Sequence, residues 1–272
     1  MGVLNVTPDS FFDGGRYADP GRALDRARRM LDDGAAILDI GGESTRPGAA
    51  PTSEQQELDR VLPLLEALSA ECDARGVPLS VDTRKPAVMR AAIAAGASMV
   101  NDINALRAGG ALDQVARSGA AVCLMHMRGE PLTMQRNAVY EDDVVAVVTA
   151  FLAERAQACE RAGIARGRIA VDPGFGFGKT LEHNLELLRR LPEIAALGYP
   201  VVAGLSRKST IGALTGRQVE DRGAGSLAAA LAAVARGASL VRVHDVRETV
   251  DALNVWQAVQ TGQHAGSAGR RA

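Results

Sequence analysis

The chain has few aromatic side chains, and this restricts what can fill its interior. Among 272 residues the aromatic fraction is 3%, whereas the hydrophobic fraction is 47%. The core must therefore be built from Val, Leu, Ile and Ala, which are the residues that fill the interior of α/β barrels. A chain of this length can hold two average domains, although barrels of this size commonly form one.

The sequence also lacks the features that identify metal, redox, nucleic-acid and membrane proteins. Cys72, Cys123 and Cys159 lie far apart and form no CxxC pair, so we expect buried, reduced thiols. The net charge of −1 gives no basis for nonspecific attraction to nucleic acid or to a membrane surface. No apolar run approaches the roughly 20 residues that span a bilayer. Because no signal peptide precedes Gly2 and Val3, we expect a cytoplasmic protein.

What the sequence does contain is a repeated unit in which a helical pattern ends in glycine and a short apolar run follows. The helix-ending glycines, such as Gly96, Gly119 and Gly237, fit left-handed C-caps. Seven such units and an apolar run at the N-terminus give eight strands, which predict an α/β fold, a single-domain (β/α)8 TIM barrel over residues 1–260, with 261–272 as a disordered tail. The predicted strands are 2–6, 36–40, 77–81, 98–100, 120–125, 168–171, 200–203 and 239–243.

Polar residues follow nearly all of these strands. Because the active site of a (β/α)8 barrel lies at the carboxyl ends of its strands, this placement predicts an enzyme. The strand-end residues are Asn5, Asp39, Asp82, Asn101, His126, Asp172, Ser206, Arg207, Lys208, Arg242 and His244.

Two groups among these residues indicate what the site binds. The loops after the last two strands carry Lys208 and Arg242, and barrels frequently hold phosphate there; alternatively, these cations pair with surface carboxylates. Asp39, Asp82 and Asp172 close apolar strands and need partners, since burying an unpaired carboxylate is expensive. The partner is either a neighbouring Arg or a ligand with several N–H donors, such as a guanidine-like heterocycle edge.

The segment 172–179 is rich in glycine but does not fit a P-loop, since it follows the sixth strand. A mobile turn that lets backbone and a Phe ring approach a flat ligand is the better interpretation. His126 either lines the site or is a structural histidine. No metal-ligand spacing is present. A Mg²⁺ ion would be held by Asn5, substrate phosphates and waters.

Taken together, these segments resemble the dihydropteroate synthase family. The resemblance runs in order from residue 1 to about residue 259. The segments that carry it are 1–11 (MGVLNVTPDSF), 39–48 (DIGGESTRPG), 81–83 (VDT), 101–103 (NDI), 125–127 (MHM), 172–179 (DPGFGFGK), 206–209 (SRKS) and 242–245 (RVHD).

The resemblance implies condensation of 6-hydroxymethyl-7,8-dihydropterin diphosphate with 4-aminobenzoate, competition by sulfonamides, and a homodimer. It assigns catalysis to Asp82, Asp172, Lys208 and Arg242. It also assigns residues to each ligand: Asp82, Asn101, Ile103, Asp172 and Lys208 to the pterin; Asn5, Arg242 and His244 to the diphosphate, with Asn5 also at Mg²⁺; and Thr45, Arg46, Pro47, Phe177 and Ser206 to aminobenzoate.

Two departures from the family pattern and two alternative functions accompany this interpretation. Relatives usually have a segment ahead of the first strand, whereas this sequence starts on the strand itself, so either the floor of the barrel is covered differently or the true start lies upstream. In addition, Phe12 stands where the family commonly has Ser. One alternative is a noncatalytic pterin-binding paralogue, which would not need the Ser-Thr-Arg-Pro stretch at 44–47. The other is a pterin-dependent methyltransferase, a reaction that needs no diphosphate pocket and is therefore disfavoured by Lys208 and Arg242.

Overall fold

The fold consists of strands and helices that alternate along the chain. The computed structural model describes residues 1–7, 20–45, 48–135 and 138–262. In these ranges the strands are β1 (Gly2–Asn5), β2 (Leu38–Gly41), β3 (Leu79–Asp82), β4 (Met99–Asp102), β5 (Ala121–Met125), β6 (Ile169–Asp172), β7 (Val202–Ala203) and β8 (Leu240–Val241). The helices are α1 (Pro20–Asp32), α2 (Glu54–Arg75), α3 (Pro86–Ala94), α4 (Ala111–Ala116), α5 (Val144–Arg161), α6 (Leu181–Arg189), α7 (Leu191–Ala195), α8 (Ser209–Thr215), α9 (Gly223–Val234) and α10 (Val246–Thr261).

The strands form a closed parallel barrel. β1 to β6 pair side by side in chain order, and β7 pairs with β8. Single bridges complete the ring: Val171 pairs with Val201, and Gly2 pairs with Val243. The prediction of a (β/α)8 barrel is therefore confirmed, and the predicted strands are all present.

The bounds of every strand differ from the predicted bounds by one or more residues at one end or at both ends. β2 extends to Gly41, one residue beyond the predicted end, whereas β7 and β8 are only two residues long. Hydrogen bonds nevertheless continue past the short strands, since the Arg242 amide donates to the Ala203 carbonyl over 3.0 Å. Backbone pairing therefore reaches the rim of the barrel, where Arg242 lies.

The register aligns polar residues in one row at the carboxyl end. Asn5 pairs with Gly41, Gly41 with Asp82, and Asp82 with Asn101. Paired residues in neighbouring parallel strands point to the same face of a sheet, so these side chains face the barrel interior together. The strand ends therefore place the side-chain amides of Asn5 and Asn101 and the carboxylate of Asp82 together at the carboxyl-end opening of the barrel.

Apolar residues fill the barrel below this row. Met99, Cys123 and Ala170 precede Asn101, Met125 and Asp172 by two residues, so each pair shares a face. These residues belong to a small buried cluster inside the barrel, and the larger core lies between the strands and the helices. Small barrels are packed in this way, which leaves the ligand-binding space at the mouth. The inner cluster is Met1, Met99, Cys123, Ala170 and Val202.

Local signals explain the helix ends. Ser53 accepts a hydrogen bond from the Gln56 amide and the Gln56 side chain accepts from the Ser53 amide, a capping box that starts α2. Gly96 and Gly237 have φ of 106° and 97°, as left-handed caps require. Gly119 has no positive φ, so the prediction of such a cap was wrong there. The turn of residues 117–120 is closed instead by the Ser118 hydroxyl, which accepts from the Ala120 amide.

The carboxyl-terminal helix extends one residue into the predicted tail. α10 ends at Thr261, and residues 263–272 lie outside the described residues. In the part of the chain that the structure covers, no helix is both long enough and apolar enough to cross a membrane.

Candidate active site

A cleft of about 480 Å³ opens at the carboxyl ends of the strands. Its walls come mainly from β1, from the loop after β2, from the glycine-rich turn after β6 and from the segments after β7 and β8. The lining residues are Asn5, Thr45, Met134, Gly176, Phe177, Ser206, Arg207, Lys208, Ser209, Val219, Arg222, Arg242 and His244.

Arg242 joins three strands across the mouth of the barrel. Its Nε donates to Oδ2 of Asp39 and its Nη2 donates to Oδ2 of Asp82, each over 2.6 Å. Asn101 Nδ2 also donates to Oδ2 of Asp39, over 3.1 Å. Two of the strand-end carboxylates therefore have an arginine as partner, which was one of the two possibilities left open by the sequence.

Burial shifts the protonation of this group. The pKa of Asp82 is raised to about 7 because desolvation outweighs the attraction of Arg242, and the nearby Asp39 adds to the rise. Burial disfavours the charged form of Arg242, but Asp39 and Asp82 outweigh that effect and raise its pKa above the ordinary value. Arg242 therefore stays protonated, while Asp82 titrates near neutral pH.

Lys208 and Asp172 form a second charged group beside the first. Lys208 Nζ donates to the Phe175 carbonyl over 2.5 Å and lies 4.7 Å from the centre of the Phe177 ring. Oδ1 of Asp172 accepts from the Gly174 amide over 2.7 Å. Burial lowers the pKa of Lys208 to about 8, against the attraction of Asp172. Burial likewise raises the pKa of Asp172, although Lys208 opposes the shift.

Gly204 leaves open space between these groups. A Cβ atom at this position would lie 3.7 Å from Lys208 Nζ and 3.9 Å from both Asp172 Oδ2 and Arg242 Cβ. These are ordinary contact distances, so the absent side chain reflects room in the site and not backbone strain. A ligand atom at this place would touch both charged groups.

The glycine-rich turn is anchored by Lys179. Its buried Nζ donates to the carbonyls of Gly174 and Phe177 over 3.0 and 3.1 Å. A Cβ at Gly174 would lie 1.9 Å from the His126 carbonyl oxygen, so only glycine fits there. These contacts favour a firmly held turn over the mobile one that the sequence indicates, and the turn presents Phe177 to the cleft.

His126 is buried and contacts Lys179. Its Nδ1 lies 3.0 Å from Lys179 Nζ, and its ring packs edge-on against Phe151 at 5.0 Å. Burial, together with the nearby Lys179, lowers the pKa of His126 to about 3. The ring is therefore neutral, and it does not line the described cleft. The structural interpretation of His126 is the one that these contacts support.

Ser206 and His244 form a neutral pair in the cleft wall. The Ser206 hydroxyl accepts from the His244 amide over 3.2 Å and lies 3.1 Å from His244 Nδ1. Burial lowers the pKa of His244 to about 4. His244 can therefore offer a hydrogen bond to a ligand but no positive charge. Arg207, nearby, is held by Asp245 through Nε and Nη2 over 2.8 and 2.7 Å.

The donor set for a metal ion is small. Over the ranges that the structure describes, no three His, Cys, Asp or Glu side chains are grouped to hold a metal ion. Asn5 lines the cleft together with Arg242 and His244 and supplies one amide oxygen. One oxygen fits a Mg²⁺ ion that keeps its waters and is bound mainly through substrate phosphates.

Comparison with known proteins identifies the family. Residues 1–244 match the family described as pterin binding enzyme. The dihydropteroate synthase of Haemophilus influenzae is 50% identical over 258 residues, which cover 95% of this chain and 92% of that protein. The chain belongs to the dihydropteroate synthase family.

Solved dihydropteroate synthases share the whole fold. The enzyme from Xanthomonas albilineans, solved with 4-aminobenzoic acid, has a TM-score of 0.89 and 56% identity, over 96% of this chain and 92% of that one. The Yersinia pestis enzyme, solved as a sulfonamide drug complex, has a TM-score of 0.91 and 48% identity, over 96% of this chain and 94% of that one.

The structure divides the residues predicted from the dihydropteroate synthase resemblance into three groups. Asn5, Thr45, Phe177, Ser206, Lys208, Arg242 and His244 line the cleft. Asp82, Asn101, Ile103 and Asp172 are not among the lining residues: Asp82 contacts Arg242, Asp172 lies near Lys208, Asn101 contacts Asp39, and Ile103 lies in an apolar cluster with Phe177. Arg46 and Pro47, like most of the predicted first loop, lie outside the described residues.

Several cleft residues carried no sequence signal. Met134 comes from the loop after β5, and Val219 and Arg222 come from the segment before α9. They follow no strand directly, so the rule that places sites at strand ends could not find them. The sequence left open an arginine partner for Asp39 but could not say which arginine, because the contact with Arg242 joins residues 203 positions apart.

Proposed function

We propose that this chain condenses 6-hydroxymethyl-7,8-dihydropterin diphosphate with 4-aminobenzoate to give 7,8-dihydropteroate and diphosphate. The observation that carries the proposal is the pairing of carboxylates with cations at one cleft. Asp82 and Asp172 interact with Arg242 and Lys208, which line the cleft. An N–H-rich ring and an attached polyanion need both kinds of group within one small site.

The pterin would bind through one free oxygen of each carboxylate. Arg242 engages Oδ2 of Asp82, and the Gly174 amide engages Oδ1 of Asp172. The second oxygen of each group remains to accept N–H bonds from the ring edge. Lys208 would donate to a ring acceptor, Asn101 would hold the ring's polar edge, and Ile103 would support the ring through its apolar cluster with Phe177.

The diphosphate would accept hydrogen bonds from the N–H groups of Arg242 that do not bond to Asp39 or Asp82. Its Nη1 group has no hydrogen-bond partner among the described residues, while Nε and Nη2 are held by Asp39 and Asp82. Neutral His244 and Asn5 add uncharged contacts. Mg²⁺ bound between Asn5 and the phosphates would neutralise their charge and improve diphosphate as a leaving group.

The reaction would then proceed by ionisation and capture. The carbon–oxygen bond to diphosphate breaks, and the electron pair leaves with the phosphate oxygen. The positive charge on the methylene carbon spreads into the electron-rich dihydropterin, where Asp82 and Asp172 stabilise it. The aniline nitrogen of aminobenzoate forms the new bond and releases a proton to diphosphate or solvent. No strong base is needed.

Aminobenzoate would lie against Thr45, Phe177 and Ser206, which line the same cleft. Phe177 offers a ring face for stacking, and Ser206 offers a hydroxyl and an amide near the carboxylate. Roles for Arg46 and Pro47 remain predictions from the sequence. The relative from Xanthomonas albilineans was solved with this ligand, which supports assigning it to this chain.

Diphosphate release measured with and without aminobenzoate tests the proposal. Purified protein with the dihydropterin diphosphate and Mg²⁺ should release diphosphate only when aminobenzoate is present, with dihydropteroate formed in equal amount. Pterin binding without release would favour the noncatalytic paralogue. Transfer of a methyl group from a methylated folate would favour the methyltransferase.

Sulfonamides resemble aminobenzoate in shape and charge, and a Yersinia pestis relative was solved in complex with one. They should therefore inhibit this chain competitively with aminobenzoate. The test is a titration at several aminobenzoate concentrations. Inhibition that does not weaken as aminobenzoate increases would contradict the site assignment.

Assembly and location are further parts of the proposal. The homodimer is proposed from the family resemblance, and the apolar side chains of Leu214 on α8 and of Val255 and Val259 on α10 are exposed. Sedimentation measurements of the purified chain test this, and a monomer at micromolar concentration would contradict it. The cytoplasmic location stays a prediction that cell fractionation tests.

A further inference from the structure

Part of the barrel rim carries five charged side chains that the proposed chemistry does not use. We call Glu43, Glu57, Arg84, Lys85 and Glu130 the rim cluster. The Glu43 side chain is 7% exposed and the Glu57 side chain is fully buried. Lys85 Nζ pairs with both, and its bond to Glu43 is 3.0 Å long. Removing one partner of such a buried pair is strongly destabilising, because it leaves an uncompensated buried charge.

Glu43 fixes both ends of the loop after β2. Its Oε1 accepts from the Thr52 amide over 3.1 Å, although the two residues lie at opposite ends of the loop. Arg60 on α2 reinforces this closure, since its Nη1 donates to the Gly42 carbonyl over 2.7 Å and lies 3.4 Å from Thr52 Oγ1. Thr45, two residues after Glu43, lines the cleft. The position of Thr45 therefore depends on the contacts of Glu43.

Arg84 connects this loop to the loop after β5. Its Nε donates to Glu43 Oε2 over 3.3 Å, and its Nη1 donates to Glu130 Oε2 over 2.6 Å. The Glu130 carbonyl in turn accepts from the Met134 amide over 2.7 Å, and Met134 lines the cleft. A backbone bond from the Gly48 amide to the Pro131 carbonyl, 3.3 Å long, joins the same two loops.

We infer that Glu43, Arg84 and Glu130 are positioning residues for the second substrate, holding Thr45 and Met134 at the aminobenzoate side of the cleft. The inference rests on the proposed function, because it names the substrate whose binding the cluster controls. None of the three residues lines the cleft, so they act through the loops and not by contact with a substrate.

The contacts differ in expected strength. Burial alone would raise the pKa of Glu43, but the Thr52 amide, Lys85 and Arg84 outweigh it and the pKa lies below its ordinary value. Glu43 is therefore charged at neutral pH. The Glu130 side chain is 64% exposed, so solvent screens its bond to Arg84. Loss of the Glu43 charge should consequently matter more than loss of the Glu130 charge.

Among the described residues, no hydrogen bond joins Asp82, Asp172 or Lys208 to Glu43, Arg84 or Glu130. Asp82, two residues before Arg84, is fixed by strand pairing with Asn101 and by Arg242. Asp172 comes from β6 and Lys208 from the segment after β7, and both contact the glycine-rich turn. A change in Glu43, Arg84 or Glu130 should therefore alter binding of aminobenzoate and leave binding of the dihydropterin diphosphate unchanged.

Steady-state kinetics of Glu43→Gln and Arg84→Met test the inference. Gln keeps an acceptor for the Thr52 amide, but it replaces the oxygen that accepts from Arg84 and Lys85 by an NH2 group, so both of those bonds are lost with the charge. We expect the KM for aminobenzoate to rise roughly tenfold in each variant, since ion-pair networks contribute more than isolated pairs. The dissociation constant of the dihydropterin diphosphate, measured calorimetrically without aminobenzoate, should stay at the wild-type value.

Two controls make the outcome specific. Arg75→Met removes an arginine that also pairs with two carboxylates, Asp32 and Glu71, on the outer helices far from the cleft. Its aminobenzoate KM should equal that of the wild type. In the double variant of Arg84→Met and Glu130→Gln, the second change should add little, because both remove the same bond.

The results separate a failure of the proposed function from a failure of the positioning role. If wild-type protein makes no dihydropteroate, the proposed function is wrong. If wild type is active but the aminobenzoate KM of Glu43→Gln is unchanged, or its pterin affinity falls equally, the positioning role is wrong. A variant that folds poorly is recognised by thermal unfolding, and Arg84→Lys, which keeps the charge, should then recover most of the lost aminobenzoate affinity.

Discussion

Arg242 on the rim of β8 donates from Nη2 to Oδ2 of Asp82 on β3, over 2.6 Å. The sequence interpretation assigns Arg242 to the diphosphate and Asp82 to the pterin. Their direct bond means that the two parts of the first substrate would be recognised by one connected group. Occupation of either part should therefore change how the other is held.

Removing the charge of Asp39 tests whether the position of Arg242 depends on its carboxylate partners. Asp39 is fully buried and holds Arg242 through Nε. We expect Asp39→Asn to lower the free energy of unfolding by about 3 kcal/mol, because it leaves a buried arginine with one charged partner fewer. Activity should fall as well, since Arg242 is then free to turn fully toward Asp82. Urea unfolding and initial rates measure both effects.

The matched control for Asp39 lies on the surface. Asp33 pairs with Arg247, whose side chain is 72% exposed. Asp33→Asn should change the free energy of unfolding by less than about 0.5 kcal/mol and leave the rate unchanged. Equal losses in the two variants would contradict a special role for the Arg242 contact.

Lys208 and Asp172 should both be needed for turnover. Lys208→Ala or Asp172→Asn is expected to lower kcat/KM by about 100-fold or more, as the loss of one electrostatic contact in an active site does. Steady-state rates with the dihydropterin diphosphate measure this. Near wild-type rates in both variants would remove these residues from the mechanism.

The absence of a side chain at Gly204 should matter for ligand binding and not for folding. An alanine Cβ would meet Lys208 Nζ and Asp172 Oδ2 at ordinary contact distances. Gly204→Ala should therefore unfold at the wild-type temperature but bind the dihydropterin diphosphate about tenfold more weakly or worse, since added atoms in a fitted space cost about 1–3 kcal/mol. Gly167→Ala, where nothing lies near the added atom, is the control.

We expect kcat/KM to fall at both acid and alkaline pH. Below about 7, protonation of Asp82 would weaken its bond to Arg242, and above about 8, loss of the Lys208 proton would remove a cation. We therefore expect kcat/KM for the dihydropterin diphosphate to peak between these values. Lys208→Arg should move the alkaline limit upward, because a guanidinium keeps its proton. An unmoved alkaline limit would assign it to another group.

The fold was predictable because local patterns and topology agree. Apolar runs such as 120–125 predict buried parallel strands, and eight repeats of strand and helix close in few other ways. The strand ends then place Asp82, Asp172 and Arg242 at one face without any contact information. The residues that carry the proposed chemistry were accessible from the sequence for this reason.

The contacts among these residues were not predictable. The bond from Arg242 to Asp39 joins residues 203 positions apart, and only barrel closure brings them together. Glu43 and Arg84 carried no signal, since charged loop residues are usually solvated. The neutral state of His244 depends on burial, which the motif does not reveal.

The barrel is closed by one bridge on either side of the β7–β8 pair, between Val171 and Val201 and between Gly2 and Val243. Arg242 crosses the second of these junctions, because it is anchored to β2 and β3 from the rim of β8. A substrate held by Arg242 would therefore also hold the barrel closed. The amide hydrogens of Val3, Val171 and Val243 should consequently exchange with solvent more slowly when the cleft is occupied.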